Sequence, residues 1–204
     1  MNDFDVLAGA VPLRGRTVVD VGCGDGALVR QLRAAGADAL GVDLEVERAR
    51  AADPDGRYLA GGAEDLPLPD ASVDAAVLMR SLHHVPDPDA AFPELRRVVR
   101  ELVYIAEPLP AGEFFELMRP VDDETEVRAL AQAAIARAAG FERLRTIEYD
   151  LTMRIDAFEV VRDRILAADP GRAERFAAVE DELRAAFRPG DYSVPMRADL
   201  LRAI

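Results

Sequence analysis

The sequence predicts an α/β fold, a doubly wound and mainly parallel sheet with helices on both faces. Three observations carry this. Short β-branched runs bounded by Gly, Pro and Asp recur along the chain. Amphipathic segments of helical period separate them. The first strand-to-helix junction, "DVGCGDGAL", is a glycine-rich turn. Strands separated by helices form βαβ units, and such units stack into a parallel sheet.

The elements follow in order. "RTVVDV" reads as a buried first strand and residues 26–35 as its helix. "ADALGVDL" is a second strand, with a helix over 45–52. "GRYLAG" is a short third strand and "SVDAAVLMRS" a fourth. The helix "AAFPELRRVVRE" leads into a fifth strand, "ELVYIAEP". Residues 120–141 read as a long helix, with Asp123 and Glu126 as a capping box and Gly140 as a left-handed stop. "FERLRTIEYDLTM" alternates like a strand near the sheet edge. Two helices follow, one with Phe158, Val161 and Ile165 on a face, the other with Phe176, Val179, Leu183 and Phe187. "DYSVPMRADLLRAI" closes the pattern as a last strand. No repeat or low-complexity linker interrupts it, so residues 1–204 are expected to form a single domain.

Composition narrows the function. All 25 basic residues are Arg, which reads as GC-rich codon usage, a bacterial-like composition. A Schiff-base or phosphate-loop lysine is thereby excluded. The net charge of −13 argues against nucleic acid and anionic membranes as partners and favours a small-molecule substrate. The single cysteine, Cys23, allows no internal disulfide, and a cytoplasmic setting is expected. "MNDFDVLAGAV" has no basic start and is not expected to be a signal peptide. No apolar stretch approaches the ~20 residues of a membrane span. A monomer or homodimer fits equally.

The glycine turn fits two chemistries when taken alone. Gly22, Gly24 and Ala27 match a dinucleotide fingerprint, whereas Gly22, Gly24 and Gly26 match a G-x-G-x-G loop. Cys23, inside the turn, reads as a small residue packed beneath it. Asp20 lies in the strand before the loop; a carboxylate there opposes a pyrophosphate and suits a ligand carrying ammonium and sulfonium charge. Asp43, followed by Leu44, ends the second strand, where a carboxylate accepts from both hydroxyls of a ribose. Asp65 is placed to meet an adenine amino group, and Leu66 to cover the ring.

Together, "VVDVGCGDG", "GVDL", "AEDLPLPDASVDAAV" and "SLHHVPDPDAAFPELRRVVR" resemble the class I S-adenosylmethionine methyltransferases, in the type-11 group that includes quinone-biosynthesis enzymes. The resemblance covers about residues 14–108. It implies a Rossmann-like seven-stranded sheet whose last strand inserts antiparallel, and S-adenosylmethionine as cofactor. It places Asp20 and Gly22, Cys23, Gly24 and Gly26 at the methionine moiety and Asp43 with Leu44 at the ribose. Glu64, Asp65 and Leu66 fall at the adenine, and Met79, Arg80 and Ser81 at the sulfonium. One departure stands out: the turn before the fifth strand lacks the family's Pro-Gly-Gly.

Ligands of open parallel sheets bind beyond the carboxyl ends of the strands. Two elaborations leave at that end, residues 109–120 and the roughly forty-residue helical connection 154–190, far longer than a hairpin loop of about 2–5 residues. They are expected to cap the cofactor. Polar candidates at the mouth are Arg80, His83, His84, Glu107, Glu113, Arg119 and Tyr192, with Phe114, Phe115 and Met118 as apolar walls. His83, Glu107 and Arg80 are the catalytic candidates, His83 because it is nearer the strand tip and histidine is a common general base. Adjacent side chains diverge on helices and strands, so the two rings are not expected to hold a metal. Two rival readings are a nicotinamide-dependent oxidoreductase, which Asp20 and "AEDLP" oppose, and a non-catalytic partner-binding protein.

Overall fold

The computed structural model describes residues 2–168 and 170–204; Asp169, inside the expected cap, lies outside the described residues. A helix α1 (Asp3–Ala10) precedes β1 (Thr17–Val21), α2 (Ala27–Ala34), β2 (Asp38–Asp43), α3 (Glu47–Ala52) and β3 (Tyr58–Ala60). Then come β4 (Val73–Met79), a 3-10 turn (Leu82–His84), α4 (Ala91–Val98) and β5 (Val99–Pro108). The C-terminal half holds α5 (Glu113–Met118), α6 (Thr125–Arg137), β6 (Phe141–Ile155), α7 (Phe158–Ala168), α8 (Ala173–Ala186) and β7 (Gly190–Ala203).

The seven strands form one sheet in the order β3-β2-β1-β4-β5-β7-β6. β1 to β5 run parallel, with Val18 opposite Ala39 on one side and Ala75 on the other. β7 enters antiparallel between β5 and β6. The expected architecture, antiparallel last strand and helical insertion are all present.

Alternation along the strands fills two layers. Val18, Val77 and Tyr104 join α1 and α2 residues such as Leu7 and Leu32 on one face. Their neighbours Val19, Leu78 and Ile105 join Leu95 and Ile135 on the other. A third apolar cluster lies beyond the sheet's carboxyl end. It joins Leu117 and Val121 to Ile155, Phe158, Ile165, Phe176, Leu183 and Phe187. The Phe158 ring meets Phe176 at 6.1 Å and Phe187 at 5.9 Å. β6 and β7 carry this cluster: Pro108 of β5 already stands opposite Met196, and the hairpin continues to Ile155 opposite Gly190.

Three local expectations are revised. The long helix begins at Thr125, not near residue 120, and has no capping box. Asp123 instead accepts from the Thr125 amide at 3.0 Å and from its hydroxyl, closing a turn. Val121, 1% exposed, is drawn into the third cluster, which holds the preceding segment off the helix axis. α4 passes into β5 with no intervening turn, since Val98 and Val99 are both buried at the junction. α1 and α5 are further helices that apolar periodicity does not announce at such short length; the Asn2 side chain caps α1 through the Asp5 amide at 2.9 Å.

Candidate functional site

The glycine turn hangs on β2: the Gly22 and Cys23 amides donate to the Val42 carbonyl at 2.8 and 3.1 Å. Gly22 and Gly24 have φ of 78° and 55°, a region that favours glycine. Gly22 also allows close packing, because a Cβ there would lie 2.4 Å from the Ser81 Cβ. Ser81 in turn donates its hydroxyl to the Val21 carbonyl at 2.7 Å, joining the tips of β1 and β4. Gly24 faces open space.

These tips border a cleft of about 570 Å³, within the usual range for small-ligand sites. Of the residues expected at the cofactor, Gly22, Gly24, Asp43, Leu44, Glu64, Arg80 and Ser81 line it. Asp43 stands at the tip of β2. Its Oδ2 accepts from the Gly24 amide at 2.8 Å and its Oδ1 from the Glu45 amide at 3.0 Å. Leu44 is 76% exposed, an apolar surface turned to solvent at the cleft rim. Glu64 accepts from the Asp87 amide at 2.9 Å, holding the far wall.

The other expected residues lie behind the lining. Asp20 is buried beneath the loop, and its carboxyl is raised to about 7, first by burial and then by Asp43. Cys23 packs its sulfur against Gly41, where a Cβ would approach to 2.6 Å. Burial and then Asp20 push its thiol up to about 12, which leaves it inert. The space above Gly26 belongs to Tyr58, whose hydroxyl would meet a Cβ at 2.4 Å. Asp65 is exposed in a turn closed on the Gly62 carbonyl. Leu66 is a core residue, 2% exposed, packed in the layer of Phe92 and Leu95 with its amide on Glu94. Met79 packs against the opposite layer. In their place the wall is built by Gly61, Gly62 and Ala63, with Arg48, Val85 and Pro86 completing the lining. Sequence reasoning missed Arg48, in the first turn of α3.

The acceptor end is polar. Glu107, next to last in β5, is fully buried. Its Oε1 accepts from the Ser81 and Leu82 amides at 3.1 and 2.8 Å, and its Oε2 makes a short contact with His83 Nδ1. All three of these contacts go to the strand-four tip. His83 is itself buried, whereas His84 is exposed and lines the cleft. The ring expected to reach a substrate is therefore the one behind. The two rings do converge, with centroids 4.0 Å apart, because they sit on a 3-10 turn and not on a helix or strand. Arg80 holds φ of 56° and points Nη2 at Asp3 Oδ2, 3.5 Å away; Asp3 also accepts from the Tyr149 hydroxyl at 2.7 Å. This brings α1 to the cleft rim.

The remaining mouth candidates do not line this cleft. Tyr192 donates to the Arg188 carbonyl at 2.7 Å inside the third cluster. Arg119 pairs with Glu116 at 3.2 Å, and Glu113 ties α5 to Ser193 of β7. Phe115 is buried under the Arg128 guanidinium, and Phe114 and Met118 pack on the third cluster. Among the described residues no helix is long and apolar enough to cross a membrane.

Residues 19–106, which span this cleft, match the family model of a methyltransferase domain. A fatty-acid O-methyltransferase of Mycolicibacterium smegmatis is 34% identical over 180 residues, covering 81% of this chain and 60% of that protein. An uncharacterized methyltransferase of Mycobacterium tuberculosis is 42% identical over 93 residues, 44% of this chain and 38% of that one. The chain thus spans under two thirds of the length of these relatives. A solved structure from Bacillus halodurans shares the fold, with a TM-score of 0.70 at 19% identity over 98% of both chains. Motifs, topology and these likenesses agree: residues 19–106 match a methyltransferase domain, and the chain resembles the class I S-adenosylmethionine-dependent methyltransferases.

Proposed function

We propose that this chain transfers a methyl group from S-adenosylmethionine to a small molecule. One observation carries the reading. A single cleft brings the Gly22–Gly24 backbone, the Asp43 carboxylate and the exposed Leu44 to one side of Ser81, and His84 to the other. The residues present fit the cofactor. Asp43 is a carboxylate at a strand tip with acceptor capacity left after two amides. Leu44 offers an apolar flank for adenine, and the buried Asp20, when ionised, supplies negative potential under the cationic methionine end. When bound, the cofactor supplies an activated methyl on a sulfonium.

The chain's own residues orient, desolvate and handle the acceptor. α5, α7 and α8 form the cap that excludes water. Arg80 and His84 face the acceptor from the strand-four tip. Glu107 and His83 are positioning residues, fixing that tip from beneath. A cytoplasmic, monomeric or dimeric enzyme acting on neither nucleic acid nor membrane accords with the acidic composition. The test is transfer of label from methyl-labelled S-adenosylmethionine into a metabolite extract. Label enters a small-molecule fraction with the wild type and not with Asp43→Ala; equal labelling by both opposes the reading.

A further inference from the structure

We propose that His83, His84 and Glu124 form a divalent-cation site at the acceptor end of the cleft. One ligand atom from each residue lies within 4.8 Å of the other two. The arrangement is built by packing. The 3-10 turn Leu82–His84 sets the two rings together, and α6, which packs on that turn, delivers Glu124 from its N-terminal cap.

The chemistry of the set is that of a borderline ion such as zinc. Two imidazoles and one carboxylate supply three protein ligands, which leaves a coordination position for an exogenous oxygen. His83 has the outer partner that metal-bound imidazoles use. Its Nδ1 is engaged by the fully buried Glu107, which fixes the ring and leaves Nε2 for a metal. Glu107 is fixed in its turn by the Ser81 and Leu82 amides. Arg128 donates twice to Glu124, both times to Oε2. Arg172 pairs with Asp122 at 2.9 Å beside the cluster.

The position gives the ion a use. His84 lines the cleft, so the open coordination site faces the acceptor. An acceptor oxygen, from a hydroxyl or a carboxylate, fits there, and a cation lowers the pKa of a hydroxyl it binds. The inference deepens the methyltransferase reading and rests on it for the identity of that oxygen, not for the site.

The experiment is calorimetric titration of tag-free, chelator-treated protein with zinc chloride, followed by the visible spectrum of the cobalt(II) form. One equivalent binds, the cobalt spectrum shows low-coordinate ligand-field bands, and His84→Ala and Glu124→Gln each weaken binding about tenfold or more. Melting curves confirm that both variants fold; if His84→Ala does not, His84→Gln takes its place. Absence of binding, or variants that bind zinc like the wild type, overturns the site. Titration of the same samples with S-adenosylhomocysteine separates the two readings. Cofactor binding without zinc binding sinks this site alone, and zinc binding without cofactor binding sinks the methyltransferase reading alone.

Discussion

The Gly24 amide donates to Asp43 Oδ2 across 2.8 Å, so the tip of β2 fixes the turn that follows β1. One carboxylate therefore both fixes the turn and lines the cleft. Asp43→Ala removes the acceptor for two amides and for a ribose. It is expected to weaken S-adenosylhomocysteine binding by about 1–3 kcal/mol. Calorimetric titration checks this, and an unchanged dissociation constant would remove Asp43 from the site.

Leu44 lines the cleft as expected, whereas Leu66, expected to cover the adenine, is a core residue. Leu44→Ala is expected to leave folding stability within about 0.5 kcal/mol, since the side chain is exposed, while weakening cofactor binding severalfold. Leu66→Ala costs about 2–5 kcal/mol of stability through a core cavity. Urea melts paired with cofactor titrations separate the two, and a stability loss at Leu44 would contradict the assignment.

Asp20 links stability to pH. Its carboxyl sits near 7 in the fold, against an ordinary 3.8. Between those values the native state holds a proton that the unfolded chain has released. Stability from this group is therefore present at low pH and lost as pH rises through about 7. Asp20→Asn cannot ionise, so its stability advantage over the wild type grows by about 2–3 kcal/mol from pH 5 to pH 8. Denaturant midpoints at the two pH values read this directly, and a constant difference would refute it.

Glu107 is the buried acceptor on which the strand-four tip rests. Glu107→Gln keeps an oxygen for the Ser81 and Leu82 amides and loses the anion facing His83. Turnover is expected to fall about tenfold or more with the fold retained, because only the charge-assisted bond is lost. Glu107→Ala strands the donors and costs about 2–5 kcal/mol of stability. Full turnover in the Gln variant would show that the His83 contact has no part in the reaction.

Much of this was legible in the sequence. β-branched runs and the glycine turn announced the parallel sheet, because burial on both faces leaves an unbroken apolar run. The backbone side of the cleft followed from Gly22, Gly24 and Asp43, whose roles depend on local geometry. Three things were not legible. Leu66 is drawn inward by packing with Phe92 and Leu95 of α4, which no local pattern marks. The order of the two histidines depended on a 3-10 turn, which no periodicity marks. Glu124 lies far along the chain and meets the histidines because α6 packs on that turn.

The most direct measurement is calorimetric titration of the wild-type protein with S-adenosylhomocysteine and, separately, with NAD. The account predicts one equivalent of S-adenosylhomocysteine bound, weakened by Asp43→Ala and by Leu44→Ala, and no heat from NAD. Binding of NAD without S-adenosylhomocysteine would contradict it.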